Sequence, residues 1–351
     1  MASTIPTEAP KRMIKCVVWD LDNTLWRGVL LEDESVHLRE NVTDIIMTLD
    51  RRGILQSIAS KNDYGNTMLK LREFGLQQYF LYPQVNWSSK VESIQNIAKL
   101  INIGLDSIVF IDDQPFERDE VGFSLPDVLC LDVADLDCLL EMPEVNPRFI
   151  TEDSSKRRLM YLSDLARNRA EEEFVGAKEE FLALLEMHFV IAPASEDDLQ
   201  RAEELTLRTN QLNTTGYTYT YEELDELRQS PHHKLLIASL KDKYGSYGKI
   251  GLALVQQQPD IWTIKLLLMS CRVMSRGVGT MMLSHLMQMA KANGARIRAE
   301  FIPNGRNRTM YITYKFAGFK EVGRNRNVVF LESDLSRIQS FPDYVRVQTI
   351  D

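Results

Sequence analysis

At 351 residues the chain is more than twice the size of an ordinary domain, so two domains are expected. A hydrophobic share of 44% beside 26% charged residues excludes a disordered or fibrous protein, and a net charge of -9 with no basic cluster excludes a general nucleic-acid binder. No stretch is apolar for long enough to cross a bilayer, and MASTIPTEAPKRMIKCVVWD has no apolar core ahead of the first strand-like run, so no membrane association and a cytoplasmic location are expected. Cys16, Cys130, Cys138 and Cys271 include no C-x-x-C pair and read as reduced thiols. The first three lie in apolar runs and are expected to be small core residues.

In chain order, short β-branched runs at 15–19, 54–59 and 107–111 predict buried parallel strands, with a fourth at 128–131. Helical segments at 42–52, 64–74 and 90–101 alternate with them, which predicts a parallel α/β sheet. A charged, helix-prone stretch, 151–187, follows as a packed connector between domains 1–150 and 188–351. The second half shows strands at 188–192, 234–240, 249–256 and 262–269, with a helix at 196–207 and a turn at 244–248. Beyond a Gly-containing turn, SCRVMSRGVGT, come a helix to 293, a strand at 296–302, a helix at 308–316 and a strand at 328–331.

Ligands of open α/β sheets bind at the carboxyl ends of strands, and polar residues gather there: Asp20 and Asp22 after the first, Ser60 after the second, Asp112 and Asp113 after the third. A carboxylate can attack phosphorus to give an aspartyl-phosphate, and a second one two positions on can protonate the leaving oxygen and later activate water. Asp20 and Asp22 fit those two roles. The transferring phosphoryl group needs a hard cation, an ammonium and hydroxyl donors, which Mg²⁺ on the carboxylates of Asp20, Asp22, Asp112 and Asp113 and the side chains of Thr24, Ser60, Lys61 and Lys90 would supply. The order WDLDNT, ASKND, WSSK, IDDQ resembles the haloacid-dehalogenase phosphatases. That resemblance implies a Rossmann-like domain, and the short segments around the motifs leave room for only a minimal cap.

In the second half, the strand-turn-helix carrying GVGT resembles the acyl-CoA-binding region of GNAT acyltransferases, although Met274 stands where that family has Gln or Arg. Cys271 follows a strand and precedes a helix, with Arg272 and Arg276 beside it, a setting that favours the thiolate. A small residue packed at a strand end is the alternative. Asn210, Asn213, Arg306 and Arg308 lie in loops rich in amide and guanidinium groups, which suit either an anionic substrate or ordinary turns and caps.

Taken together, WDLDNTLWRGV, SKND, IDDQPFERDEV, RTNQLN, MSCRVMSRGVG and GRNR resemble the FkbH-like proteins over nearly the whole chain. The resemblance implies a glyceryl transferase and phosphatase of polyketide biosynthesis. Such an enzyme removes phosphate from 1,3-bisphosphoglycerate and places the glyceryl group on the phosphopantetheine thiol of an acyl carrier protein, with Cys271 as the acyl acceptor. Loading of lactyl in place of glyceryl, and a plain Mg²⁺-dependent phosphatase with a noncatalytic recognition half, are the alternatives.

Overall fold

The computed structural model describes residues 12–350, and the chain divides into two compact units, one ending at Leu162 and the next starting at Ser163. Most of the N-terminal run read for a leader therefore lies outside the described residues.

The first unit contains β1 (Cys16–Trp19), β2 (Trp26–Arg27), β3 (His37–Leu38), α1 (Val42–Arg51), β4 (Leu55–Ser60), α2 (Tyr64–Glu73) and β5 (Gln84–Val85). It continues with α3 (Lys90–Ile101), β6 (Ile108–Asp112), α4 (Pro115–Ser124), β7 (Leu129–Asp132) and α5 (Glu152–Ser155). Five strands form a parallel sheet in the order β5-β4-β1-β6-β7. Strands β1, β4 and β6 are buried along their whole length, as a sheet covered by helices on both faces requires. In α1 the residues Val42, Ile45, Ile46 and Leu49 fall on one helical face and are all buried.

Because β1 lies between β4 and β6, the winding of the chain reverses there, and a crevice opens at the carboxyl ends of these strands. Between β1 and α1 the inserted elements are the strands of one hairpin, β2 paired with β3. A Rossmann-like sheet with so small an insertion is the arrangement expected of a haloacid-dehalogenase-like domain with a minimal cap.

Helix α6 (Arg157–Glu173) carries the chain into the second unit, followed by α7 (Lys178–Leu184), β8 (Met187–Pro193), α8 (Leu199–Arg208), α9 (Tyr221–Gln229), β9 (His233–Asp242), β10 (Gly245–Gln257) and β11 (Ile261–Met269). Then come α10 (Val278–Ala292), β12 (Arg296–Phe301), α11 (Arg308–Phe316), β13 (Lys320–Asn325), β14 (Val328–Ser333) and β15 (Val345–Thr349). The sheet order is β13-β14-β12-β11-β10-β9-β8-β15, antiparallel from β8 to β11, with a parallel pair between β11 and β12. This mixed sheet with α10 after the fourth of those strands is a GNAT-like α/β domain.

Several sequence expectations are corrected. The stretch 151–187 is three helices and the start of β8, and the division at Leu162 falls inside α6. The hairpin joining β9 to β10 turns at 243–244, ahead of the expected 244–248, because Tyr247 is already a buried strand residue with its hydroxyl on Asp242. Cys138 is exposed rather than a core residue: it belongs to the 3-10 helix Val133–Glu141, whose inward positions are Leu136 and Leu139. Cys16 is buried and Cys130 half-buried.

Candidate active site

Each polar residue at the crevice is set in place by its strand end and by a cap on the helix that follows. The amide of Asp20 extends the β1–β6 ladder by donating to the Ile111 carbonyl at 2.9 Å. The chain then turns sharply, with the amides of Thr24 and Leu25 both donating to the Leu21 carbonyl. Gly28 closes this turn at φ +97, where a Cβ would sit 2.8 Å from the Asp33 carboxylate. Ser89 caps α3 by accepting from the Glu92 amide and so presents Lys90 in its first turn. Pro115 starts α4 one residue beyond the acidic pair, with Gln114 between them at the N-cap.

At the centre Lys90 Nζ donates to Asp20 Oδ1 and to Asp112 Oδ2, each at 2.6 Å. All three side chains are buried, with exposures of 5%, 7% and 1% for Lys90, Asp20 and Asp112. Burial pushes the Asp20 carboxyl upward against the pull of Lys90, with a further hydrogen bond from Ser60 opposing the shift. Asp112 is raised by burial and then by the Asp20 charge. Burial works against the charge on Lys90, but the two carboxylates outweigh it and hold the ammonium above its ordinary range.

Thr24 ties the first loop to the acidic pair: its hydroxyl donates to Asp113 Oδ1 at 3.2 Å and accepts from the Asp113 amide at 3.0 Å. Lys61 pairs with Glu117 Oε1 at 2.8 Å, and Glu117 Oε2 lies 3.8 Å from Lys90. Glu117 was not expected at the site. The sequence signal for it was one acid among several in PFERDE, with nothing to say which would face inward; it is 6% exposed. Asp22 is held apart: Oδ1 accepts from the Trp26 indole N–H and the Leu30 amide, and Oδ2 from Asn62 Nδ2 at 2.9 Å.

Asp20, Asp112 and Asp113 each offer an oxygen within 4.8 Å of the others, and Asp22 is not in that group. Hard carboxylate oxygens on a strand-end loop suit Mg²⁺ better than a softer ion. The charge count agrees, since the carboxylates of Asp20, Asp112, Asp113 and Glu117 outnumber the ammonium groups of Lys61 and Lys90 by the charge of one divalent cation. Such an ion would supply charge neutralisation to phosphoryl oxygens. Among the chain's own residues, Lys90 and Ser60 steady the Asp20 carboxylate at the strand end, while Asp22 is engaged by Trp26, Leu30 and Asn62.

Mg²⁺ is expected to raise the melting temperature, and excess EDTA to reverse this. At about 100-fold over its dissociation constant a bound ion contributes roughly 2.7 kcal/mol. The shift should shrink toward acid pH, because the raised carboxyls of Asp20, Asp112 and Asp113 must ionise before they take a cation. Thermal scans of the wild type and Asp113→Asn check this, with the variant losing most of the shift.

In the second unit Cys271 opens the 3-10 helix Cys271–Arg276 and packs half-buried against the core. Both neighbouring guanidinium groups have partners: Arg272 donates to the Tyr247 carbonyl at 2.7 Å, and Arg276 to Glu171 at 3.0 Å. Gly277, at φ +74, joins this turn to α10, beside a pocket lined by Leu212, Met269, Val273, Met274 and Met310 among others. Cys271 is not among the lining residues. Asn213 is wholly buried, and its Oδ1 accepts from the amides of Thr215 and Gly216, so its carbonyl end holds a turn. Asn210 and Arg306 are exposed on loops, and Arg308 is exposed at the first position of α11.

No family model matches the chain, and no curated protein matches it. Among solved structures, the N-terminal phosphatase-domain part of BF1531 from Bacteroides fragilis, complexed with Mg, is similar at 30% identity over 39% of this chain, with a TM-score of 0.35. This chain spans 41% of the length of that one. The ribosomal-protein-S18-alanine N-acetyltransferase of Escherichia coli is similar at 15% identity over 42% of this chain and 95% of its own, TM-score 0.34. A GNAT-family acetyltransferase of Streptococcus pneumoniae is similar at 19% over 41% and 96%, TM-score 0.33. Among the described residues no helix is long and apolar enough to cross a membrane.

Proposed function

We propose that this chain is a cytoplasmic, Mg²⁺-dependent phosphatase and acyltransferase that takes 1,3-bisphosphoglycerate and loads its glyceryl group onto the phosphopantetheine thiol of an acyl carrier protein. The observation that carries the phosphatase part is the buried bridge of Lys90 between Asp20 and Asp112 at the strand ends. Its three buried charges are costly to hold together without a chemical use. The acyl part rests on the resemblance of the sequence and on the place of Cys271 at the end of β11.

In this reading the Cys271 thiolate attacks the acyl-phosphate carbonyl, the bond from carbon to the phosphate oxygen breaks, and phosphate leaves with the electron pair. The carrier thiolate then attacks the enzyme thioester and returns Cys271 to the thiolate. Separately, Asp20 attacks the phosphoester phosphorus, Asp22 protonates the departing alkoxide, and the same Asp22 takes a proton from the water that cleaves the aspartyl-phosphate. Intact-mass measurement of a carrier protein after incubation with enzyme, Mg²⁺ and 1,3-bisphosphoglycerate tests the whole reading, and a lactyl mass in place of glyceryl would change the acyl group alone.

A second reading, a phosphatase with a recognition half, draws on the structural partners of Arg272 and Arg276, the Tyr247 carbonyl and Glu171. Cys271 separates the two. Cys271→Ala and Cys271→Ser are expected to lose a hydroxylamine-sensitive adduct, located by peptide mapping, and carrier loading with it, while retaining phosphate release from simple phosphoesters. Normal loading by Cys271→Ala would leave the second reading.

A further inference from the structure

In the second unit the parallel pair β11 and β12 is hydrogen-bonded only from Ile261 opposite Arg296 to Ile264 opposite Ala299. Beyond that point β11 runs on to Met269 while β12 ends at Phe301, so the two strands part and leave a gap with backbone groups on both lips. The gap opens toward the turn that leads into α10, whose N-terminus was read from the sequence as an anion-binding feature. An extended ligand with a pyrophosphate at that helix and amides along its arm would run down the gap and pair with these groups as an added strand does.

The chain itself fills the gap. Residues 212–214 lie antiparallel to β11, with Asn213 bridged to Leu268. The Met269 amide donates to the Leu212 carbonyl at 2.9 Å, and the Thr214 amide to the Leu267 carbonyl at 3.1 Å. The Leu267 amide donates to Thr214 Oγ1 at 3.1 Å. On the other lip the Ile302 amide donates to the Thr214 carbonyl at 3.0 Å. Asn307 Nδ2 clamps the strap by donating to the carbonyls of Asn213, Thr214 and Ile302 at 3.0, 3.4 and 2.9 Å. Leu212 is 4% exposed, and Asn213, Thr214 and Asn307 are 1% or less. Buried backbone amides and carbonyls already paired in this way cannot pair with a ligand's amides without the loss of several hydrogen bonds.

We propose that residues 212–214 are a specificity strap, which occupies the seat of an amide-bearing arm along β11 and so excludes an acyl-CoA donor from the gap in favour of an acyl phosphate; the carrier's phosphopantetheine arm, which bears the same amides, is kept out of the gap as well and reaches Cys271 from outside it. The inference rests on the acyltransferase reading for the identity of the donor, but the occupancy of the gap is independent of it. Thr214 has a particular part, because its hydroxyl rather than its backbone satisfies the Leu267 amide, so that a three-residue strap closes both lips.

The test is calorimetry of the full-length protein with coenzyme A and with acetyl-CoA, joined to amide exchange at Leu267, Met269 and Ile302. No measurable heat up to millimolar ligand and unchanged protection are expected in the wild type. Asn307→Ala, and as a milder change Thr214→Val, should speed exchange at these amides by at least tenfold, and the more loosened of the two should gain coenzyme A binding. Micromolar binding to the wild type with loss of protection at Ile302 would overturn the strap, and so would full protection in both variants. Carrier loading from 1,3-bisphosphoglycerate is assayed in parallel: if loading fails while coenzyme A stays unbound and the amides stay protected, the acyl-phosphate donor is refuted and the occupied gap is not.

Discussion

Asp20→Asn is expected to release phosphate on the order of 10⁴-fold more slowly than the wild type, or worse, while it melts at a similar or higher temperature. The first expectation follows from chemistry: an amide oxygen cannot form an aspartyl-phosphate, and the other groups at the crevice are placed to assist an attack rather than to make one. The second follows from electrostatics. Asp20 sits in a buried place where burial pushes its carboxyl upward against the pull of Lys90, and its charge also raises Asp112. Removing that charge relieves both groups, and Lys90 keeps Asp112 as its partner at 2.6 Å. Near-normal phosphate release with Asp20→Asn, measured with simple phosphoesters and Mg²⁺, would remove the haloacid-dehalogenase chemistry from this protein.

The site in the first unit was legible because its residues terminate apolar runs. A strand buried on both faces carries few charged or polar positions before its end, so Asp20 and Asp112 stand out at the ends of CVVW and IVFID, and Ser60 ends LQSIAS, whose Gln56 and Ser57 are also buried. Glu117 carries no such contrast. It lies in a helix among Arg118, Asp119 and Glu120, and only the packing of α4 turns it toward Lys61 and Lys90. The metal role given to the Asp22 side chain also fails to emerge from spacing, because the local turn aims that carboxylate at Trp26, Leu30 and Asn62.

The second unit was less legible, for related reasons. Strand β13 is exposed at every position, so no alternation marks it. Residues 212–214 read as loop because three residues have no period, and because a strand that pairs through a threonine hydroxyl looks like polar loop chemistry. By residue type Asn213 suits either a substrate contact or an ordinary turn, and its Oδ1 is taken by the turn at Thr215 and Gly216. Amide side chains that shape a loop and amide side chains that bind a substrate have the same composition, and burial alone separates them.

Lys90→Met should cost more stability than any other single change at this site, about 3–5 kcal/mol at neutral pH, because it removes the one cation shared by two buried carboxylates and keeps the volume. Asp20 and Asp112 would then face each other at the bottom of the crevice with their charges opposed only by Ser60 and backbone donors. The pH dependence fixes the cause. A carboxyl whose folded pKa is raised contributes stability below its unfolded value and loses that contribution as pH rises through the folded value. Without Lys90 both carboxyls move further up, so the deficit of the variant should be small in acid, where both are protonated in either state. It should grow as pH rises through the raised range and level off above it. Mg²⁺ should recover part of the deficit by taking the place of the lost positive charge, and it should do so only where the carboxyls have ionised. Urea unfolding of wild type and Lys90→Met at several pH values, with and without Mg²⁺, measures all of this. A deficit that is the same at every pH would assign Lys90 to packing instead, and with it would go the view that the bridge between Asp20 and Asp112 is an electrostatic device.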